Sequence, residues 1–441
     1  MERFDVILVG GGPASRILNK YIKMANKEIK TAVFRDEGRI VNHCGTPYIV
    51  EKVIPWEKGL IKEELVTRFG TPIIVDRVID GNTEEKYVVT ESGKKYGYGK
   101  LVFATGTDQF IPPIEGKDLK NILKIRKTKD VKESIKLLET ITDIVVLGAG
   151  FIGLEFAISL KNMGKNVTLI ELAPHVMGDR LDEGFISDVE AHLKGLGINL
   201  MLGAKAVKFG GTDTVEYVEL EDGTIVNTQA VLSAAGVKPI VDYAEKFGLT
   251  VTSQGIVVNE YFETGVPDVY AIGDCTETKS YITGKPIPGK LGSNAGQMAR
   301  LLGLNFRGVK KPYEGVINAA ITHLHGLSIA SAGLSEKDTK ENGIKTIIGY
   351  GDSFSIYANM PGTEKVKIKM IYEKDSLKLL GTEIIGKFNP AGFIEATAQL
   401  IYMKADLYDV IGSHYSSHPE LTPKTSHSYM VFASESALKQ L

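Results

Sequence analysis

Ile144-Val145-Val146-Leu147-Gly148-Ala149-Gly150-Phe151-Ile152-Gly153 is the stretch that decides the fold of this chain. Four apolar residues make a strand buried on both faces. The run G-x-G-x-x-G follows at once, and a helix continues through Leu154-Glu155-Phe156-Ala157. Gly148 makes the turn tight, Gly150 lets the backbone approach a pyrophosphate, and Gly153 lets the helix pack close to the strand. The helix N-terminus attracts the anion. Val167-Thr168-Leu169-Ile170 is the next strand, and Glu171 ends it, 21 residues beyond Gly150. An acid at about that offset accepts hydrogen bonds from the ribose hydroxyls of NAD. A carboxylate there repels the 2′-phosphate of NADP, and no arginine follows it directly, so NADH is favoured over NADPH.

The same pattern stands at the start of the chain. Phe4 to Val9 is a nearly continuous apolar run, and Gly10-Gly11-Gly12-Pro13-Ala14-Ser15 opens a helix. Here Gly10 takes the tight turn, Gly12 the close approach, and Ser15 the third position of the motif. Thr31-Ala32-Val33-Phe34 is the second strand, but Arg35 ends it and the carboxylate, Asp36, comes only afterwards. Two such units predict two bound dinucleotides. A nicotinamide donates two electrons, and its natural companion is a flavin, so FAD and NADH are the expected cofactors. Ala104-Thr105-Gly106, after the strand Lys100 to Phe103, is a small-residue turn able to stop beside a cofactor. Gly273-Asp274-Cys275, after the strand Val269 to Ile272, places a carboxylate where it can hold a polyol hydroxyl. Further strands are expected over Thr71 to Val78, Tyr87 to Thr90 and Ile256 to Asn259, and a helix from Asn294-Ala295-Gly296 to Arg300.

Between the two units lies Val41-Asn42-His43-Cys44-Gly45-Thr46-Pro47-Tyr48, with one of only two cysteines in the chain. Pro47 suits the first turn of a helix, here expected to run through Tyr48, Ile49 and Val53. A thiol at a helix N-terminus has a lowered pKa, and a protonated His43 would lower it further. The bland alternative is a small buried hydrophobe. For Cys275 that alternative is preferred, because no Cys-x-x-Cys spacing relates it to Cys44.

At 441 residues the chain exceeds one hydrophobic core, and about three domains are expected. A net charge of −2 gives no basic excess to attract nucleic acid or an acidic membrane surface. Two cysteines make no disulfide framework, and no apolar run reaches membrane-spanning length. A cytoplasmic protein is therefore expected. From Pro312 onward no glycine-rich nucleotide turn appears. Short strands (Leu327 to Ala330, Thr346 to Tyr350, Val366 to Tyr372, Leu377 to Ile385) and an amphipathic helix over Ala391 to Lys404 point to an α+β domain. His414, His418 and His427 fall within 14 residues, but their spacing matches no common zinc pattern, so no metal is expected.

Taken together, the first glycine motif, CGTPY, ATG at Ala104 to Gly106, GAGFIGLE, Ala235-Gly236 and YAIGDC at Tyr270 to Cys275 resemble the pyridine nucleotide–disulfide oxidoreductases. The likeness is to the single-cysteine members: coenzyme A disulfide reductase, NADH oxidase and peroxidase, and persulfide or polysulfide reductases. The resemblance implies an α/β chain with two Rossmann-like dinucleotide-binding domains and a C-terminal α+β dimerisation domain. The divisions would be 1–112 with 245–312 for FAD, 113–244 for NAD, and 313–441 for dimerisation in a homodimer. It implies that Asp274 holds the flavin ribityl chain, that Phe151 and Ile152 lie near the nicotinamide, and that Glu155 lies near the flavin–nicotinamide contact. Asn42, Ala295 and Gly236 join the cofactor-binding set. Cys44 would be the redox-active residue, with His418 or Tyr415 from the other subunit as acid. Three departures stand out: Arg35 replaces the usual ribose glutamate, no second cysteine follows Cys44, and Met360 stands before Pro361-Gly362 where a tyrosine is usual. The implied activity is NADH-dependent reduction of a disulfide, persulfide or polysulfide. Reduction of oxygen or peroxide through a cysteine sulfenic acid is the first alternative, and electron transfer to a small iron–sulfur protein the second.

Overall fold

The computed structural model describes residues 1–441, the side chain of Asp179 excepted. β1 (Glu2–Val9) forms because its apolar residues are buried on both faces, with Ile7 and Leu8 fully enclosed. Each such side chain contributes roughly 1.5–3 kcal/mol on leaving water. β1 lies parallel between β2 (Thr31–Arg35) and a long strand over Lys95–Phe103, with Val9 level with both Phe34 and Phe103. Val269–Ala271 adds to the far side of the Lys95–Phe103 strand, also in parallel, so a late segment completes the first sheet. α1 (Pro13–Ala25) packs Leu18 and Ile22 against Met298 and Leu302 of a helix over Gly292–Phe306.

The second sheet is wholly parallel and takes the order Asn199–Leu202, Asn166–Glu171, Asp143–Leu147, Ala230–Ser233, Ile122–Leu123. The helix that decides the fold runs from Phe151 to Asn162. The last third is a five-stranded antiparallel sheet in the order Ala320–Leu324, Leu327–Gly333, Leu379–Gly386, Lys365–Glu373, Thr346–Phe354. Helices Ala391–Tyr402 and Tyr429–Leu438 pack on that sheet, closely enough that a Cβ at Gly349 would lie 2.0 Å from the Ala433 carbonyl oxygen.

One hydrophobic cluster ties all three parts together. It joins Val41, Ile49 and Leu60 of the cysteine segment to Leu154 and Phe156, and these to Leu324, Ile329 and Ile385 of the last sheet. Polar cross-links reinforce it. The Val41 amide donates to Thr128 (3.0 Å), Asn162 donates to Glu51 (2.9 Å), Lys127 pairs with Asp36 (2.8 Å) and Lys52 with Glu139 (2.7 Å). A buried ionic group seals the junction of the second unit with the last sheet. Lys369 lies 2.7 Å from both Asp182 and Glu336, while Glu383 accepts from the Asp182 amide at 3.2 Å.

Several sequence expectations are corrected. The helix after Cys44 spans only Thr46–Val50, because Lys52 turns into the left-handed region (φ 66°) well before Val53. The stretch Thr71 to Val78 holds one short strand, Ile73–Val75, and the next begins at Val78 and runs antiparallel to Tyr87–Thr90. Over Ile256 to Asn259 only Gly255–Ile256 is paired as a strand. The helix expected from Asn294 begins at Gly292.

Candidate functional site

Both glycine turns do the mechanical work that their spacing requires. Gly148 adopts φ +105°, and a Cβ there would sit 2.6 Å from the Ala234 carbonyl oxygen. A Cβ on Gly153 would meet the Gly148 oxygen at 1.9 Å, whereas one on Gly150 would meet nothing within 4 Å. Gly12 is open in the same way, and neither helix N-terminus has a side-chain cap. Each turn therefore leaves open space at an uncapped helix end, as an incoming phosphate needs.

The turns face two cavities. The larger is a cleft of about 1460 Å³ lined by Gly148, Gly150, Phe151, Ile152, Glu171 and Gly236. Glu171 is held by the amides of Ala149 (2.6 Å) and Ala173 (2.8 Å), which fix its carboxylate at the strand end. The smaller cavity is lined by Gly10 and Gly12 to Ala14, by Ala104 to Gly106, and by Asp274 and Ala295. Arg35 and Asp36 also border it. Arg35 is buried and paired with Glu63, so its charge is compensated within the chain. Ser15 is buried with an unpartnered hydroxyl. Thr105 donates to the Ile240 carbonyl (2.8 Å) and anchors the turn. Asn42 lines neither cavity; its carbonyl accepts from the Gly45 amide at 2.9 Å and so shapes the turn that carries Cys44.

Cys44 lies in a short 3₁₀ turn, His43–Gly45, between the two nucleotide units. His43 lines the smaller cavity and bonds the Arg126 carbonyl through Nε2 (2.8 Å). The expected electrostatics are overturned here. Desolvation, with Arg126 adding to it, pushes the His43 pKa down to about 4, so His43 is neutral at pH 7 and stabilises no thiolate. Desolvation also raises the Cys44 pKa, and Glu155 and Asp274 raise it further, while Arg126 opposes them. A three-residue turn offers too little aligned dipole to reverse this. The cation beside the sulfur is thus Arg126, which sequence reasoning missed. Its one signal was the basic run Arg126-Lys127 after a short strand. Arg126 is oriented by Thr107, to whose carbonyl and hydroxyl it donates at 2.8 and 2.7 Å.

Glu155, expected near the flavin–nicotinamide contact, is bridged to the last sheet. Burial raises its pKa, and Thr322 of the last sheet donates to its Oε1 at 2.8 Å. Cys275 is fully buried with its Sγ directed at the Ile272 carbonyl, a packed structural thiol. The tail residues stand apart. Tyr415 donates to the Thr425 carbonyl (3.2 Å), and His418 Nδ1 accepts from the Glu420 amide (3.3 Å). Among the described residues neither bonds to anything around Cys44 within one chain.

Two units built on parallel strands (the first sheet extended by antiparallel ones), each with an uncapped glycine turn and a carboxylate at a strand end, define an oxidoreductase of the two-dinucleotide kind. The chain belongs to the pyridine nucleotide-disulphide oxidoreductases: that family matches residues 4–299, and its dimerisation domain matches residues 319–428. It is 31% identical to an NADH oxidase of Methanocaldococcus jannaschii, across 99% of both chains. It is 30% identical to a CoA-dependent NAD(P)H sulfur oxidoreductase of Pyrococcus furiosus, across 88% of this chain and 89% of that one. Its fold superposes on an NAD-dependent persulfide reductase from A. fulgidus with a TM-score of 0.93 and 26% identity, covering 99% of this chain and 83% of the other.

FAD and a nicotinamide dinucleotide are the cofactors of this family. The smaller cavity fits the first. Besides the open uncapped turn, the buried Arg126 Nε has no partner, and Asp274 accepts no hydrogen bond from the described residues. An anionic diphosphate and a polyol chain answer those two needs. Among the described residues no helix is long and apolar enough to cross a membrane.

Proposed function

We propose that the chain is an FAD-dependent NAD(P)H reductase of a disulfide, persulfide or polysulfide, working through Cys44. Residues 1–112 with 245–312 form the FAD unit, 113–244 the nicotinamide unit, and 313–441 the dimer contact in this reading. The observation that carries it is the place of Cys44. Its turn carries His43 on the wall of the smaller cavity, and the sulfur lies within electrostatic reach of Asp274 in that cavity and of Glu155 on the helix Phe151–Asn162.

Gly10, Gly12, Pro13, Ala14 and Ser15 would receive the FAD pyrophosphate, Ala104 to Gly106 its ring system, and Asp274 its ribityl hydroxyls. Gly148, Gly150 and Gly153 would receive the pyrophosphate of NADH, Glu171 its adenosine ribose, and Phe151, Ile152 and Glu155 the region of its nicotinamide. Bound FAD would supply the two-electron relay between dihydronicotinamide and sulfur. The chain contributes the rest. Arg126 favours the Cys44 thiolate, which attacks a substrate sulfur, forms a mixed disulfide and expels one thiolate. Two electrons from NADH then cleave that bond, so that NADH, one proton and one disulfide yield NAD⁺ and two thiols. The acid for the departing thiolate is a tail residue, His418 or Tyr415, supplied by the second copy of the chain. The sulfur substrate accords with the Pyrococcus furiosus relative and the A. fulgidus structure.

A panel of disulfides, persulfides and polysulfide assayed with NADH tests the reading, with oxygen uptake recorded in parallel. The Methanocaldococcus jannaschii relative favours one second reading, an NADH oxidase cycling Cys44 through a sulfenic acid. NADH consumption that needs oxygen and ignores every sulfur substrate would establish that alternative.

A further inference from the structure

Lys290 stands outside both glycine motifs and outside the cysteine segment. It sits in Gly289-Lys290-Leu291, directly before the helix Gly292–Phe306. Its Nζ donates to the Gln254 carbonyl at 2.7 Å and to the Thr276 carbonyl at 2.5 Å. An ammonium has three donors, so one remains unspent. Lys290 lines the larger cleft, while Asp274 and Gly292 line the smaller cavity, which places this cation where the two cavities adjoin. Among the described residues it makes no close ion pair; the carboxylates that face it are Asp274 and Glu277, with the neutral thiol of Cys275 alongside. A partly buried ammonium held by neutral carbonyls loses hydration, and Asp274 and Glu277 compensate it only from a distance, outside hydrogen-bond contact.

A hydride from dihydronicotinamide brings two electrons and one proton, so the ring that receives it gains one negative charge unless a second proton follows. We propose that Lys290 is the fixed cation for that charge, an electrostatic determinant of how readily the bound flavin is reduced. Carbonyl anchoring by Gln254 and Thr276 keeps the ammonium from swinging onto Asp274. The inference rests on the flavin reading above, but it is independent of Cys44 and of the sulfur substrate.

Sulfite tests it on the holoenzyme, because its addition forms a bond to the flavin and likewise leaves one negative charge on the ring. K290Q should bind sulfite about tenfold or more weakly, as loss of a neighbouring charge implies, and its flavin midpoint potential should fall. K290R should stay near the wild type in both. Flavin-replete K290Q with unchanged sulfite affinity and unchanged potential would overturn the proposal. Should K290Q shed its flavin, the decision passes to pH. Burial lowers the Lys290 pKa against the pull of Asp274, so wild-type sulfite affinity should fall at high pH as the ammonium loses its proton, while K290R should not follow. Identical pH profiles for the two would reject the inference. A protein purified without flavin would instead refute the functional reading itself.

Discussion

At Cys44 the surrounding charges oppose one another. Glu155 and Asp274 disfavour the thiolate and Arg126 favours it, with desolvation outweighing each. Arg126→Met should therefore slow alkylation of Cys44 at pH 8 by roughly tenfold, measured with iodoacetamide. His43 is already neutral at pH 7, so the alkylation rate should show no inflection near the ordinary histidine pKa, and His43→Gln should leave the pH profile unchanged. Cys44→Ser should abolish disulfide turnover while flavin reduction by NADH continues; unimpaired turnover would refute the role of the sulfur. The cysteine itself was legible in the sequence because CGTPY is a local string. The cation was not, because Arg126 lies 82 positions further on and reaches the sulfur only through folding.

Among the elements, the glycine turns were the most readable features, since a tight turn and a close approach are decided over six residues. Gly153→Ala would thrust a methyl to 1.9 Å from the Gly148 oxygen. Overpacking of this kind costs about 1–3 kcal/mol, and the variant should show a lowered midpoint in denaturant together with weakened NADH binding. Glu171→Ala should cost some stability, because the Ala149 and Ala173 amides lose their acceptor, and should move the NADPH-to-NADH ratio of kcat/KM upward by roughly tenfold, because ribose contacts to a charged acceptor are lost with the repulsion of a 2′-phosphate. The short helix after Cys44 escaped prediction for a plain reason. Apolar spacing through Val53 fitted a longer helix, but Lys52 takes a left-handed conformation that propensity alone does not foresee.

For the molecule as a whole, the group formed by Lys369, Asp182, Glu336 and Glu383 governs how stability responds to pH. Burial, reinforced by Asp182, raises the Glu383 pKa well above its ordinary 4.5. In the window above about pH 4.5 the folded chain keeps a proton that the unfolded chain has released, so this carboxyl's contribution is complete below that pH and is lost as pH rises. Glu383→Gln should flatten the decline in denaturation midpoint as pH rises above the ordinary carboxyl range. Lys369→Met should cost roughly 1–3 kcal/mol at neutral pH, since it leaves the half-buried carboxylates of Asp182 and Glu336 without their cation. This arrangement was invisible in the sequence, where its members are scattered from 182 to 383.

The cross-links around the cysteine turn carry a mechanical consequence. His43 is tied to the Arg126 backbone, Val41 to Thr128 and Glu51 to Asn162, so a swing of those segments away from the cysteine turn would break the bonds that mount the sulfur. In the reaction proposed above, such a frame would hold the sulfur in place while reactants come and go.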